Sequence, residues 1–222
     1  MATANVSILK NTHQEVVVKV YGVKDDTVDI SLTSADLITG CSPVGSTGLI
    51  SVNPGETEVG GEYLSGLIPG NSMLFDTSGN YIGVVATVIG STGATLKEGA
   101  VTGATAAEFL VDSSATQEPS GQQKVAIAGV NWSGDSNITI DVDRGGTRIL
   151  TLPAAGTIYI DFSGQDLPLE TTEQTEPITV TIDGTGVGNG ECWLKLRKQE
   201  GYITRIETST FSGYDDTSKA GQ

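Results

Sequence analysis

Apolar residues occupy every second position in two stretches near the start of the chain. In residues 16–20 and 28–32 they alternate with other positions, and the acidic pair Asp25-Asp26 lies between the two stretches. Successive side chains of a β-strand point to opposite faces, so the alternation predicts two strands that each bury one face. Because the acidic pair is typical of a turn, we predict that the two strands form a β-hairpin.

The same alternation returns more cleanly in the second half of the chain. Arg144-Gly-Gly predicts a tight turn, and Asp183–Gly190 predicts a hairpin loop. The strands predicted here cover residues 124–132, 138–142, 147–152, 158–162, 178–182 and 192–196. The two ends of the chain together predict about eight strands, enough for a two-sheet antiparallel β-sandwich in an all-β protein. No helix longer than about one turn is predicted.

Residues 48–112 have a different sequence pattern. Short strands separated by glycine-containing turns surround the strongly apolar stretch 81–89, which predicts a small closed β-barrel of about five strands. Polar stretches with proline and glycine flank this segment at 39–47 and 113–123. Domains are readily inserted at loops of this composition. We therefore predict a discontinuous sandwich (1–47 and 113–212), an inserted barrel (48–112) and a C-terminal tail (213–222).

The charge balance narrows the range of partners. Asp and Glu number 27 against 12 Lys and Arg, giving a net charge of −15. Nucleic-acid phosphates repel such a polyanion, so we expect no nucleic-acid partner. The charge can serve solubility alone, or it can form the acidic outer surface of a crowded assembly. No apolar run reaches the roughly 20 residues that span a bilayer, and the first residues do not have the pattern of a secretory signal.

Catalytic and metal-binding groups are scarce. His13 is the single histidine, and Cys41 and Cys192 are the two cysteines. We predict no enzyme, no cofactor and no metal site, because neither a nucleophile–histidine device nor a zinc ligand cluster can be assembled. Asp141 and Asp143 share one face of a strand, which suits a solvated face better than a glycosidase pair. Calcium in a loop such as Asp183–Gly190 stays an open alternative.

Large aromatic side chains are the candidates for an interface. Trp132 and Trp193 are expected in the core or at a subunit contact, and Tyr81 is a further candidate. By alternation, Trp193 falls on the face opposite Cys192, beside Lys195. Either a partner covers this face, or Trp193 is a lone exposed aromatic residue.

Three stretches resemble a virion structural protein of marine tailed phages, particularly cyanophages: residues 5–20, 161–165 and 191–202, the last reading ECWLKLRKQEGY. The middle of the chain is similar to a small SH3-like barrel that recurs in phage capsid, tail and fibre proteins. This second resemblance is carried by Gly70, Leu74, Phe75, Asp76, Gly79, Ile82, Gly83 and Val85.

The resemblances imply a non-enzymatic structural role in a virion assembled in the host cytoplasm. We expect a capsid decoration or cement protein that binds the major capsid protein or other virion proteins, as a symmetric homo-oligomer such as a trimer. A neck, tail or fibre-base component is one alternative. A carbohydrate-binding module for host adsorption is the other.

Overall fold

Strands dominate this computed structural model, which describes residues 5–153, 158–162 and 175–205. Helical structure in this part of the chain is limited to α1 (Ser34–Leu37) and a single 3-10 turn at Leu64–Gly66. The prediction of an all-β protein with antiparallel sheets is therefore confirmed. None of the helices in the described ranges has the length and apolarity needed to cross a membrane.

The described residues contain seventeen strands. In chain order they are β1 Asn5–Asn11, β2 Glu15–Val23, β3 Asp26–Ile30, β4 Val44–Val52, β5 Glu58–Gly61, β6 Met73–Asp76, β7 Tyr81–Ile89, β8 Gly93–Leu96, β9 Ala104–Asp112, β10 Gln117–Pro119, β11 Val125–Gly134, β12 Ile138–Arg144, β13 Thr147–Pro153, β14 Ile158–Asp161, β15 Ile178–Gly184, β16 Asn189–Lys198 and β17 Tyr202–Thr204.

The chain divides into two compact units. Unit 1 takes the described residues of Met1–Leu37 and Gln122–Gly201, and unit 2 takes those of Ile38–Gly121 and Tyr202–Gln222. The predicted tail 213–222 lies outside the described residues.

Unit 1 contains a five-stranded antiparallel sheet with the order β1-β2-β16-β11-β14. One face of this sheet is apolar and buried, as the alternation predicts for a half-buried strand. Its side chains include Val16, Val18, Val20, Ile127, Val130, Trp132, Cys192, Leu194 and Leu196.

The second sheet of unit 1 is four-stranded, with the order β13-β12-β15-β3. Its buried face carries Ile138, Ile140, Val142, Ile178, Val180 and Ile182. Gly145 and Gly146 both have positive φ (53° and 77°) in the turn between β12 and β13. A two-residue hairpin turn requires this left-handed backbone, which glycine adopts without a steric cost. The Arg144-Gly-Gly turn is thus confirmed.

Two predicted hairpins are wrong. Strands β2 and β3 follow each other closely, yet β2 pairs with β1 and β16 whereas β3 pairs with β15. Strands β15 and β16 likewise belong to different sheets. Both connections carry the chain from one sheet to the other. Alternation shows which face of a strand is buried, but it does not show which strand is the hydrogen-bonded neighbour.

The buried faces of the two sheets meet within unit 1. A Cβ atom placed on Gly190 of β16 would lie 3.1 Å from Cγ2 of Ile182 and 3.2 Å from Cγ2 of Ile138. The Arg144 side chain, which is fully buried, donates a hydrogen bond of 2.9 Å from Nη1 to the carbonyl oxygen of Val125 on the other sheet. This bond gives the buried charge a polar partner in the interior.

Unit 2 is built around a closed barrel with the strand order β4-β5-β8-β7-β6-β9, six strands where about five were predicted. Its first strand begins at Val44. The barrel interior is apolar and includes Ile50, Val52, Val59, Leu64, Leu74, Ile82, Val85, Leu96 and Phe109. Strands β10 and β17 form a separate two-stranded ladder.

Candidate interaction surface

The outward side of the five-stranded sheet is the most distinctive surface of unit 1. We call it the Trp193 face. Strand register and alternation place on it Asn5, Ser7, Lys10, Glu15, Val17, Lys19, Tyr21, Gly129, Asn131, Ser133, Tyr159, Asp161, Glu191, Trp193, Lys195 and Arg197.

Trp193 lies at the middle of this face. Strand β16 is the third of the five strands, and Trp193 is the fifth of its ten residues. In the register, Lys19 of β2 lies on one side of Trp193 and Asn131 of β11 on the other, with Tyr159 of β14 beyond Asn131. Neighbouring strands are about 4.8 Å apart, so the two aromatic residues are separated by roughly 10 Å.

Polar contacts hold the Trp193 indole in one orientation. Its Nε1 donates a hydrogen bond of 2.5 Å to Oε1 of Glu191. The Lys19 ammonium lies 5.6 Å from the ring centroid, within cation–π range, and forms a 2.7 Å ion pair with Glu191. The side chain nevertheless stays 37% exposed. A large aromatic residue that is both fixed and exposed loses little conformational entropy when a partner covers it.

Charges on the Trp193 face are arranged in a connected network. Nζ of Lys195 lies 3.5 Å from a carboxylate oxygen of Glu15 and 3.6 Å from one of Asp161. Lys10 forms a 2.6 Å ion pair with Glu15, and its hydrogen bond lowers the pKa of that carboxyl group. With Lys19, Glu191 and Arg197 included, four positive and three negative side chains share the face.

The near-neutral charge of the Trp193 face contrasts with the strongly negative charge of the whole chain. The Trp193 face has a net charge of about +1, on a chain whose formal net charge is −15. The outward side of the four-stranded sheet is threonine-rich and acidic, with Asp29, Asp141, Asp143 and Asp183 opposed by Arg148 alone among the residues of β3, β12, β13 and β15.

The exposed apolar side chains of unit 1 follow the same division. Among the described residues of unit 1, the large exposed ones on the Trp193 face are Tyr21, Tyr159 and Trp193. Ile8, Leu9 and Ile160 lie in the edge strands β1 and β14, where Ile8 and Ile160 pair with the inward-facing Val18 and Val130, and Val187 lies in a loop. The four-stranded sheet contributes none within the described residues. The surface of this unit is thus divided into an aromatic, nearly neutral side and a hydrophilic, acidic side.

A shallow depression lies at one side of the Trp193 face. Its volume is about 390 Å³, and its lining includes Asn5, Ser7, Lys19, Tyr21 and Glu191. The lining combines one aromatic ring with amide, hydroxyl and charged groups.

The three predicted interface residues lie in different environments. Trp132 is only 4% exposed, on the opposite side of the sheet from Trp193, and its Nε1 donates a 3.2 Å hydrogen bond to the carbonyl oxygen of Pro153. Tyr81 is 8% exposed in the barrel unit, where its ring packs edge-on against Phe75 at 5.9 Å. Of the three, only Trp193 is exposed on its own unit.

Sequence reasoning missed Tyr21, Asn131 and Tyr159 as neighbours of Trp193. The alternation of β2 places Tyr21 on the other face of the strand from the buried Val20. This signal could have identified Tyr21 as a residue of the Trp193 face. The neighbours of Trp193 across the sheet follow only from the strand order.

The paired carboxylates of β12 are bound by an arginine. Nη1 of Arg148 lies 2.7 Å from Asp141, and Nε of Arg148 donates to Asp143 at 2.5 Å. Arg148 thus bridges the two carboxylates, and Asp141 also accepts a hydrogen bond from Thr151.

The other candidate groups also lie apart from one another. His13 is exposed between β1 and β2, and Cys192 is buried, which raises the pKa of its thiol to about 12. Within residues 5–153, 158–162 and 175–205, no three His, Cys, Asp or Glu side chains come together as a metal site.

No known protein-family model matches the chain. No curated protein is significantly similar to it.

Proposed function

We propose that this chain is a non-enzymatic structural protein of a tailed-phage particle, and that it works by binding other proteins. The resemblance of both chain ends to a marine phage virion protein supports a role in the phage particle. The Trp193 face supports a function through binding to other proteins. Within the particle we favour a capsid decoration or cement protein, with the neck, tail or fibre base as the alternative location.

The observation that carries this proposal is the arrangement of Trp193 within its face. Protein interfaces typically place aromatic anchors at the centre and polar or charged groups at the rim. In the Trp193 face the fixed indole is central, the Lys19–Glu191 ion pair contacts it, and the Lys10–Glu15 and Lys195–Asp161 pairs lie further towards one end of the sheet. An acidic exterior elsewhere would keep crowded copies from aggregating through other surfaces.

The finer description of the fold belongs to the same proposal. We describe the two sheets of unit 1 as a β-sandwich, since their apolar faces pack on each other around Gly190. We describe the six-stranded barrel of unit 2 as an inserted SH3-like domain.

Analysis of purified particles tests the proposed function. We expect the chain in intact virions by quantitative mass spectrometry, at hundreds of copies for a shell protein or about a dozen for a tail component. Purified chain added to particles that lack it should rebind, and Trp193→Lys should abolish rebinding. Val187→Lys, at an exposed loop position of the same unit, is the matched control and should rebind normally. Absence of the chain from intact particles would end this proposal.

A carbohydrate-binding role is the second candidate. The observation that favours it is that Trp193, Tyr159 and Tyr21 lie on one open face with the amide of Asn131 among them. Aromatic rings and hydrogen-bonding amides are the groups that bind the apolar and polar sides of a sugar. Glycan-array binding lost in Trp193→Ala would support this role, and the absence of binding to any glycan would exclude it.

A further inference from the structure

We infer that a second copy of this chain covers the Trp193 face, in a two-fold symmetric dimer in which the two five-stranded sheets stack face to face. This inference rests on the proposed function only in taking the Trp193 face as a docking surface. It adds the identity of the occupant.

The size of the face fits a dimer. Its five strands contain about 40 residues. Each residue of a sheet covers about 3.3 Å along the strand and 4.8 Å across it, so the flat area is about 630 Å² per copy. Two copies would bury about 1,300 Å², which lies within the range of about 1,200–2,000 Å² for stable protein interfaces.

The charge distribution selects this face for self-association. Two molecules of net charge −15 repel each other, and the repulsion is strongest where acidic surfaces meet. The Trp193 face carries about one net positive charge, whereas the outward side of the four-stranded sheet carries about three net negative charges. Of the two outward sheet surfaces of unit 1, the Trp193 face therefore gives the smaller electrostatic repulsion between two copies in contact.

The layout of the face suits a two-fold axis. A two-fold interface is self-complementary, so a residue on the axis meets its own copy and each off-axis group meets a different one. Trp193 is central both across the sheet and along its strand. An axis through Trp193 that runs across the strands would bring the two indoles together and set Lys195 of one copy against Glu191 of the other, because these two residues flank Trp193 on β16. Stacked sheets lie about 10 Å apart, a distance that two layers of aromatic side chains fill.

Sedimentation equilibrium of the full chain tests this inference. We expect a reversible dimer whose dissociation constant rises at least about tenfold in Trp193→Lys, since central aromatic residues dominate interface energies. Val187→Lys adds the same charge to the same unit away from the sheet and should leave the constant unchanged. Tyr21→Lys, at a second exposed position of the face, should weaken the dimer and guards against misfolding of the tryptophan variant.

Salt dependence gives a second readout. Raising the ionic strength from about 50 to 500 mM should strengthen the dimer, because salt screens the repulsion between two polyanions more than the short-range contacts. In a Trp132→Phe background, Trp193 emission should shift to shorter wavelength as the protein concentration rises through the dissociation constant.

The outcomes separate this inference from the proposed function. A wild-type chain that stays monomeric, yet rebinds particles in a Trp193-dependent way, would refute the inference that a second copy covers the Trp193 face. The proposed role in the particle would be unaffected. A Trp193-dependent dimer that is absent from particles overturns the particle role alone. A trimer, or a dimer that Trp193→Lys and Tyr21→Lys do not weaken, overturns the two-fold face-to-face arrangement.

Discussion

Lys198 places a positive charge at the end of the unit 1 core. The stability of the protein should therefore change with pH in the alkaline range. The residue ends β16 on the same side as Leu196 and is 8% exposed. Its Nζ donates a 2.8 Å hydrogen bond to Oδ1 of Asn11. Burial disfavours the charged form, which lowers the pKa of Lys198 from 10.5 to about 8.

The sign and size of the effect follow from proton linkage. Between pH 8 and 10.5 the unfolded chain keeps the Lys198 proton while the native chain has released it. The unfolded state then binds more protons, so raising the pH stabilises the native state. Without solvent screening, the gain from pH 7 to pH 10 is about 2.5 kcal/mol. Water near this end of the sheet screens the charge, which reduces the expected gain to about 1–1.5 kcal/mol.

Urea unfolding followed by circular dichroism measures this gain. We expect the free energy of unfolding of the wild type to rise, relative to Lys198→Met, by about 1–1.5 kcal/mol from pH 7 to pH 10. Methionine has a similar length and no titrating group. Lys198→Arg is the matched control, because arginine keeps its charge throughout this range and should also lose the gain.

Parallel pH profiles of the wild type and Lys198→Met would refute the reasoning. They would mean that the Lys198 ammonium is as well solvated in the native chain as in the unfolded one.

Three further expectations concern the core and the barrel. Trp132→Ala should lower the free energy of unfolding by about 3–5 kcal/mol, because it removes a buried indole; a loss below about 1 kcal/mol in urea unfolding would contradict its placement. In β4 of the barrel, a Cβ atom on Gly48 would lie 2.2 Å from a backbone carbonyl oxygen, whereas one on Gly45 would meet nothing within 4 Å. Gly48→Ala should therefore cost about 1–3 kcal/mol more than Gly45→Ala, and equal melting temperatures would count against this barrel geometry. The Cys192 thiol, buried and with its pKa raised to about 12, should react with a thiol reagent much more slowly than the half-buried Cys41 in native protein, and similar rates would show that β16 opens readily.

The periodic sequence was sufficient to predict eight of the nine strands of unit 1 and the buried face of most of them, whereas β1 was not predicted and Ile160 of β14 is exposed. Side-chain direction within one strand depends only on the local backbone, so the alternation around Cys192 correctly placed Trp193 on the outward side. Arg144 has the same parity as Val142, so its burial also follows from the pattern, although its charge argues for the surface. The glycine pair after it predicted the tight turn because its requirement for positive φ is equally local.

Strand partners and sheet membership were decided only in the tertiary structure. Two strands joined by a short turn can pair with each other or enter different sheets, and both choices bury the same apolar side chains. Hence β2 and β3 carry the alternation of a hairpin yet lie in separate sheets. Because residues far apart in sequence meet only when the sheet order is fixed, the grouping of Lys19, Asn131 and Tyr159 around Trp193 could not be read from the chain alone.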